Sequence, residues 1–231
     1  MSRLRLVVVG DVLLDRDVRG TSDRLCPDAP APVVDVVDRT QSPGGAGLAA
    51  LLCADAAAVT VVAPFADDAD GRALRHALAA RTDVLALGHE GPTRTKTRVR
   101  VGDSSVVRVD DGGPGAPTWV DLAGVRRVLA AADAVLVSDY GAGTTRHDAL
   151  RALLVEAAAR LPVVWDPHPR GGDPVPGCRL VTPNLAEALR SAPDGPPDVV
   201  ATGLCAAWDA DAVAVTLGAR GASVGRRDGA P

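Results

Sequence analysis

Five short segments of this sequence place carboxylates, amides and glycines at positions suited to holding a ligand rich in hydroxyls or phosphates. In Gly10-Asp11-Val12-Leu13-Leu14-Asp15, Asp11 and Asp15 could accept hydrogen bonds from hydroxyls, or Asp11 could be a turn residue and helix N-cap. Pro43-Gly44-Gly45-Ala46-Gly47 lets the backbone approach a ligand and opens a helix with free N–H groups, although packing alone can also call for glycine there. Ser138-Asp139-Tyr140-Gly141-Ala142-Gly143 offers Asp139 at the rim that also carries Asp11, or a simple strand-to-helix turn. In Thr182-Pro183-Asn184-Leu185-Ala186-Glu187, Asn184 and Glu187 share one helix face, as a water-mediated Mg²⁺ site beside phosphates would require. The same spacing also writes a capping box. Thr216-Leu217-Gly218-Ala219-Arg220-Gly221 supplies glycines whose backbone can reach phosphate oxygens, without the Lys-Ser/Thr ending of a Walker A loop.

Each segment sits where a strand meets the next element, and short Val-rich runs alternate along the chain with stretches of helical length rich in Ala and Leu. That alternation predicts a doubly wound, mostly parallel sheet with helices on both faces, in which ligands meet the carboxyl ends of the strands. The predicted strands are Leu4–Val9, Val59–Ala63, Val84–Ala86, Ala134–Ser138, Val163–Trp165, Leu180–Thr182 and Ala212–Thr216. The predicted helices are Gly45–Ala57, Ala69–Ala80, Val120–Ala131, Thr145–Arg160, Asn184–Arg190 and Val199–Trp208. Pro32–Arg39 and Thr93–Asp110 break the rhythm with alternating apolar and polar residues, and Gly102-Asp103-Ser104 suits a hairpin turn. These strands are expected in a small β lid. Gly112–Pro117 and Ala192–Pro197 are loops rich in Gly and Pro, and neither marks a second domain.

Composition narrows the function classes. At 231 residues and 47% hydrophobic content the chain can bury a substantial core. Its aromatics are Phe65, Tyr140, Trp119, Trp165 and Trp208, too few for base-stacking platforms. A formal net charge of -4 with dispersed arginines argues against nucleic acid as a partner. The segment Met1–Val9 reads as a first strand rather than a targeting signal, and no stretch reaches the roughly 18 apolar residues of a membrane helix, so a cytoplasmic protein with no membrane partner is expected. Cys26, Cys53, Cys178 and Cys205 are far apart, as are His76, His89, His147 and His168, which disfavours a Cys/His metal site.

Taken in order, Gly-Asp-Val-x-x-Asp, Pro-Gly-Gly-Ala, Ser-Asp-Tyr-Gly-x-Gly, Asp166-Pro167, Thr-Pro-Asn-x-x-Glu and Val-Thr-x-Gly-x-x-Gly resemble the ribokinase-like (PfkB) carbohydrate kinases over nearly the whole chain. Cys26-Pro27-Asp28-Ala29-Pro30-Ala31-Pro32-Val33, with the Thr-x-Thr-Lys and Val-Val-Arg-Val-Asp of Thr93–Asp110, is similar to the heptose-7-phosphate kinase branch.

The resemblance implies phosphoryl transfer from ATP, with Mg²⁺, to a hydroxyl of a sugar or sugar phosphate, heptose 7-phosphate being one such acceptor. Asp11, Asp15, Gly44, Gly45 and Asp139 would then lie around the sugar; Asn184, Glu187, Thr216, Gly218 and Gly221 around Mg²⁺ and the nucleotide, with Glu187 nearest the metal. Lid closure would exclude water, and the lid could pair two copies into a homodimer. The family's catalytic Gly-Ala-Gly-Asp has no counterpart after Gly221, Arg226-Arg227-Asp228-Gly229 reading as a hairpin turn. Residues 1–231 are therefore expected to form one kinase domain lacking its C-terminal part, with no catalytic base assigned. The alternative is a sugar- or nucleotide-binding remnant without turnover. Gly47-Leu48-Ala49 replaces the family's asparagine after Gly-Gly-Ala, and Ala142 and His168 stand where the heptose branch tends to carry lysine. For a phosphorylated sugar, Arg98, Arg100 or Arg108 would supply the cations. A Rossmann dehydrogenase is disfavoured, since Gly-x-Gly-x-x-Gly does not follow the first strand.

Overall fold

Val7, Val8 and Val9 near the N-terminus are at most 3% exposed. Side chains alternate across a strand, so a run buried at every position requires cover on both faces of its sheet. Val7 and Val9 join one apolar cluster and Val8 joins the other. The structure is a computed structural model that describes residues 3–113, 115–192 and 195–227.

In chain order the first strands are β1 (Leu4–Gly10), β2 (Val12–Leu25), β3 (Pro32–Gly45), β4 (Ala57–Pro64), β5 (Asp83–Leu87), β6 (Thr95–Val101) and β7 (Ser104–Asp111). They are followed by β8 (Ala134–Ser138), β9 (Val163–Asp166), β10 (Leu180–Val181), β11 (Ala212–Thr216) and β12 (Ala222–Arg226). The helices are α1 (Ala46–Cys53), α2 (Ala69–Ala79), α3 (Leu122–Ala131), α4 (Asp148–Ala158), α5 (Leu185–Ser191) and α6 (Pro197–Ala207).

An eight-stranded sheet runs β12-β11-β10-β9-β8-β1-β4-β5. Its ladders are parallel except for β11 with β12. Leu74 and Leu78 of α2, with Ala50 of α1, cover one face; Val125 of α3, Leu150 and Leu154 of α4 and Leu204 of α6 cover the other. From β1 the chain first builds outward through β4 and β5, then returns to build β8 to β11 on the opposite side. The order reverses beside β1, and in such sheets that is where loops part and leave a crevice. β1 and β8 meet at Gly10 and Ser138, so closely that a Cβ on Gly10 would strike the Ser138 carbonyl.

The second sheet is the lid, in the order β3-β2-β6-β7. Gly102, at φ +56°, turns β6 into β7 where a hairpin was expected. The expected lid strands were too short and one was missed. The segment expected as a loop at Gly10–Asp15 becomes β2 from Val12, paired with β3 through Leu13–Gly44 and Asp15–Ser42 and with β6 through Asp15–Lys96. Much of β2 is polar and half-exposed on both faces, so it lacks the apolar alternation that marks a strand covering a core.

Two helices are shorter than expected. α1 stops at Cys53 because Ala57 is already paired with Leu4 of β1, and an Ala-rich run reads as helix whether or not a strand claims its end. Thr144–Arg146 forms a 3-10 turn, and α4 starts at Asp148 after His147 caps it. β12 was not expected as a strand; it lies antiparallel against β11 and close under α6, where a Cβ on Gly225 would strike the Thr202 amide. Asp228 and Gly229 lie outside the described residues.

Candidate functional site

Asp11 is the single residue between β1 and β2, and its carboxylate is 2% exposed. Its Oδ2 accepts hydrogen bonds from the Tyr140 and Ala142 amides at 2.9 and 3.0 Å, and its Oδ1 accepts one from the Thr144 amide at 3.1 Å. Gly141 and Gly143, at φ +67° and +119°, give the loop after β8 the tight course that turns three amides toward one carboxylate. Asp139, also 2% exposed, accepts from the Gly141 amide at 2.7 Å and the Thr145 hydroxyl at 2.5 Å. Burial pushes its carboxyl up to about 6; the Asp11 charge adds to that rise and the Thr145 and Gly141 hydrogen bonds oppose it.

Asp11 and Asp139, expected beside a ligand's hydroxyls, are engaged here by the loop after β8, and Asp139 also lines a cleft. Both carboxylates face inward and tie the loop after β8 to the ends of β1 and β8, because neighbouring parallel strands bring those ends within reach of one turn.

Asp15 behaves differently. It lies on β2 with its side chain 22% exposed, and its Oδ1 pairs with Arg98 Nη1 of β6 at 2.7 Å. Gly44 packs directly on this carboxylate, since a Cβ there would run into Asp15 Oδ2. Gly45 sits at φ +61°, and a Cβ on it would strike the Asp11 carbonyl. Asp15, Gly44 and Gly45 thus meet at the hinge between lid and main sheet. Arg94 adds a bond across it, donating from Nη1 to the Tyr140 carbonyl at 3.0 Å.

Beside this hinge a cleft of ≈480 Å³ opens over the carboxyl ends of β8 to β11. Tyr140, Asp166, His168, Asn184, Glu187 and Thr216 line it, with Asp139 in the wall. Asn184 Oδ1 accepts from the Glu187 amide at 3.0 Å while Glu187 Oε2 accepts from the Asn184 amide at 2.8 Å, so the pair forms the capping box of α5. Thr216 joins them through an isolated bridge to Asn184. Gly218 and Gly221 lie apart from the cleft lining, flanking the turn between β11 and β12 at φ +62° and +86°, with open space where a Cβ would point.

Burial, then the Glu187 charge, lifts the Asp166 carboxyl to about 6 against the Thr182 hydrogen bond. Burial, then Arg170, holds the His168 imidazole below its ordinary value. Among the described residues no three His, Cys, Asp or Glu side chains cluster as a metal cage. The same residues include no helix long and apolar enough to cross a membrane.

Sequence reasoning assigned no role to Asp166, Arg94 or Lys96. Asp166 carries the readable signal, a carboxylate directly after the Val-Val-Trp of β9. For Arg94 and Lys96 the only signal is their place in the alternating lid segment. Of the lid arginines expected to supply cations, Arg98 is engaged by Asp15 and Arg108 by Asp110 at 2.9 Å.

The chain spans about half the length of the first curated relatives it matches. It is 51% identical over 229 residues to the bifunctional protein HldE of Streptomyces coelicolor, covering 95% of this chain and 48% of that protein. It is 37% identical over 194 residues to the D-beta-D-heptose 7-phosphate kinase of Bordetella bronchiseptica, covering 81% of this chain and 61% of that one. In fold it resembles the Arabidopsis thaliana ribokinase solved with ribose and ATP, with a TM-score of 0.68 at 21% identity over 100% of this chain and 77% of that one. With residues 3–230 also matching the description "pfkB family carbohydrate kinase", the chain belongs to the pfkB family of carbohydrate kinases.

Proposed function

We propose that this chain forms the acceptor- and nucleotide-binding part of an ATP-dependent kinase that phosphorylates a hydroxyl of a sugar phosphate, with heptose 7-phosphate as the leading acceptor. The observation that carries this reading is the juxtaposition at the hinge: a polar lid face bearing Asp15 meets the glycines Gly44 and Gly45 beside a cleft of ≈480 Å³. The names of the HldE and heptose 7-phosphate kinase relatives support heptose as the acceptor.

In this reading Asp15 accepts hydrogen bonds from acceptor hydroxyls, and Gly44 and Gly45 let the sugar approach the backbone. Asp11 and Asp139 hold the loop that forms the wall between sugar and nucleotide. Asn184, Glu187 and Thr216 border the phosphates, while Gly218 and Gly221 leave the turn beyond β11 open for the nucleotide.

The residues fit Mg²⁺ carried by the nucleotide rather than caged by the protein. Asp166 and Glu187 face the same cleft and repel one another, and a hydrated dication shared with phosphate oxygens suits one or two carboxylates. Mg²⁺ so bound would neutralise charge on the transferred phosphoryl group.

Two copies joined through their lids complete the proposal. β7 is one of the lid's two edge strands, and its Val107 and Val109 are 47% and 51% exposed on the side opposite Arg108 and Asp110. Cytoplasm, where ATP is supplied, is the compartment this function implies.

Calorimetric titration with Mg²⁺-ATP, sedoheptulose 7-phosphate, mannose 6-phosphate and mannose, followed by ADP-release assays on the same panel, tests the reading. Saturable binding of Mg²⁺-ATP and of at least one sugar phosphate is expected. Failure to bind either at millimolar concentration would remove it.

A further inference from the structure

The connection from β9 to β10 carries Pro167 and His168 into the wall of the cleft, and from Pro167 to Arg179 it is neither helix nor strand. Pro167, Pro169 and Pro174 have no N–H to give, so few of its own groups can fix this loop. The neighbouring loop after β8 holds it instead.

The two loops meet through glycines. A Cβ on Gly141 would strike the His168 imidazole, one on Gly171 the Asp139 carboxylate, and one on Gly172 the Thr145 carbonyl and the Arg151 guanidinium. That close approach brings Thr145 against Gly172. Thr145 is fully buried, and its hydroxyl makes one bond in each direction. It donates to Asp139 Oδ2 at 2.5 Å and accepts from the Gly172 amide at 2.9 Å. Two arginines add to the seam: Arg146 Nε donates to the Gly171 carbonyl at 3.1 Å, and Arg151 Nη1 donates to the Thr145 and Asp173 carbonyls at 2.9 and 2.8 Å. The bonds from Arg146 to Gly171 and from Arg151 to Asp173 are exposed, where water competes for them, whereas the bond from Thr145 to Asp139 is buried.

We propose that Thr145 is a positioning residue for the nucleotide side: its hydroxyl ties the loop after β9 to the loop after β8, and so holds Pro167 and His168 in the wall against which Mg²⁺-ATP binds. Without the tie this loop would be ordered only when the nucleotide arrives, and binding would be weakened by that ordering. The sugar side does not depend on it, because Asp11 clamps the loop after β8 through three amides of its own. The inference rests on the sugar-kinase reading for the identity of the nucleotide alone.

Hydrogen exchange followed by nuclear magnetic resonance reads the tie at the Gly172 amide. In wild type that amide is expected to exchange at least a hundredfold more slowly than an unstructured one, and unprotected exchange would overturn the bridge without recourse to a variant. Thr145→Val replaces the hydroxyl with a methyl group of similar size. It is expected to speed Gly172 exchange at least tenfold, while the Tyr140, Ala142 and Thr144 amides held by Asp11 stay within twofold. In calorimetry the same variant is expected to bind Mg²⁺-ATP at least tenfold more weakly than wild type and sedoheptulose 7-phosphate within twofold of it. Thr145→Ser, which keeps the hydroxyl, should restore both the Gly172 protection and the Mg²⁺-ATP affinity. Wild-type Mg²⁺-ATP affinity in Thr145→Val with Gly172 released, equal losses for the two ligands, or no rescue by serine would each overturn the proposal. Gly172 protection that depends on Thr145, in a chain whose wild type binds no Mg²⁺-ATP, would leave the bridge between loops standing and remove the kinase reading.

Discussion

Asp11, Asp15 and Asp139 are one residue type with two occupations, and contacts decide which. Asp11 and Asp139 bury their oxygens against amides and a hydroxyl of one loop, whereas Asp15 remains part-exposed on the lid, paired with Arg98. The Asp139 carboxyl, lifted from 3.8 to about 6, binds its proton more tightly in the folded chain. Its contribution to stability is therefore complete below the unfolded value and disappears as pH rises toward the folded one. Between pH 4 and pH 7, wild type should lose on the order of 2 kcal/mol of unfolding free energy relative to Asp139→Asn. Urea denaturation of both proteins across that window measures it, and parallel profiles would show that Asp139 does not titrate there. Residue types and motif spacing made these aspartates visible in sequence. Their orientation was not visible, because Asp15 meets an arginine 83 positions away and Asp11 meets amides at least 129 positions away.

The elements repeat this division between what is written locally and what is supplied from a distance. The capping box of α5 is legible from Asn184 and Glu187 alone, since both bonds lie within four residues. The Val-rich strands of the main sheet are equally legible, because burial on both faces demands unbroken apolar runs. β2 is not, since its pairing with β3 and β6 defines it more than its own pattern does. Gly44 shows what that pairing achieves: β3 can pass directly over the Asp15 carboxylate only without a side chain. Gly44→Ala should force the carboxylate off Arg98 and weaken binding of an acceptor sugar at least tenfold. Gly44 is buried and the added Cβ would also press on Leu13, so the folded state should lose on the order of 2 kcal/mol as well. Calorimetry and urea unfolding on the same preparation separate the two effects, and unchanged sugar affinity would show that Asp15 does not address the ligand.

For the molecule as a whole, strand and helix alternation foretold the doubly wound sheet, while β12 escaped because a five-residue antiparallel edge strand leaves little pattern. The exposed valines of β7 belong to this scale too. Val107→Lys with Val109→Lys should convert a lid-paired dimer into monomer in sedimentation velocity, with the far-ultraviolet spectrum unchanged; a dimer that survives both charges is joined elsewhere. The Asp11 clamp has a consequence in time as well as in space. Its three amide partners lie 129, 131 and 133 residues downstream, so a chain emerging from the ribosome carries Asp11 and most of the lid long before anything exists to hold them. Such distant closure is slow, and domains assemble as their parts arrive. A nascent chain arrested before Thr144 should leave the hinge open to protease, and release of the next turn of sequence should close it.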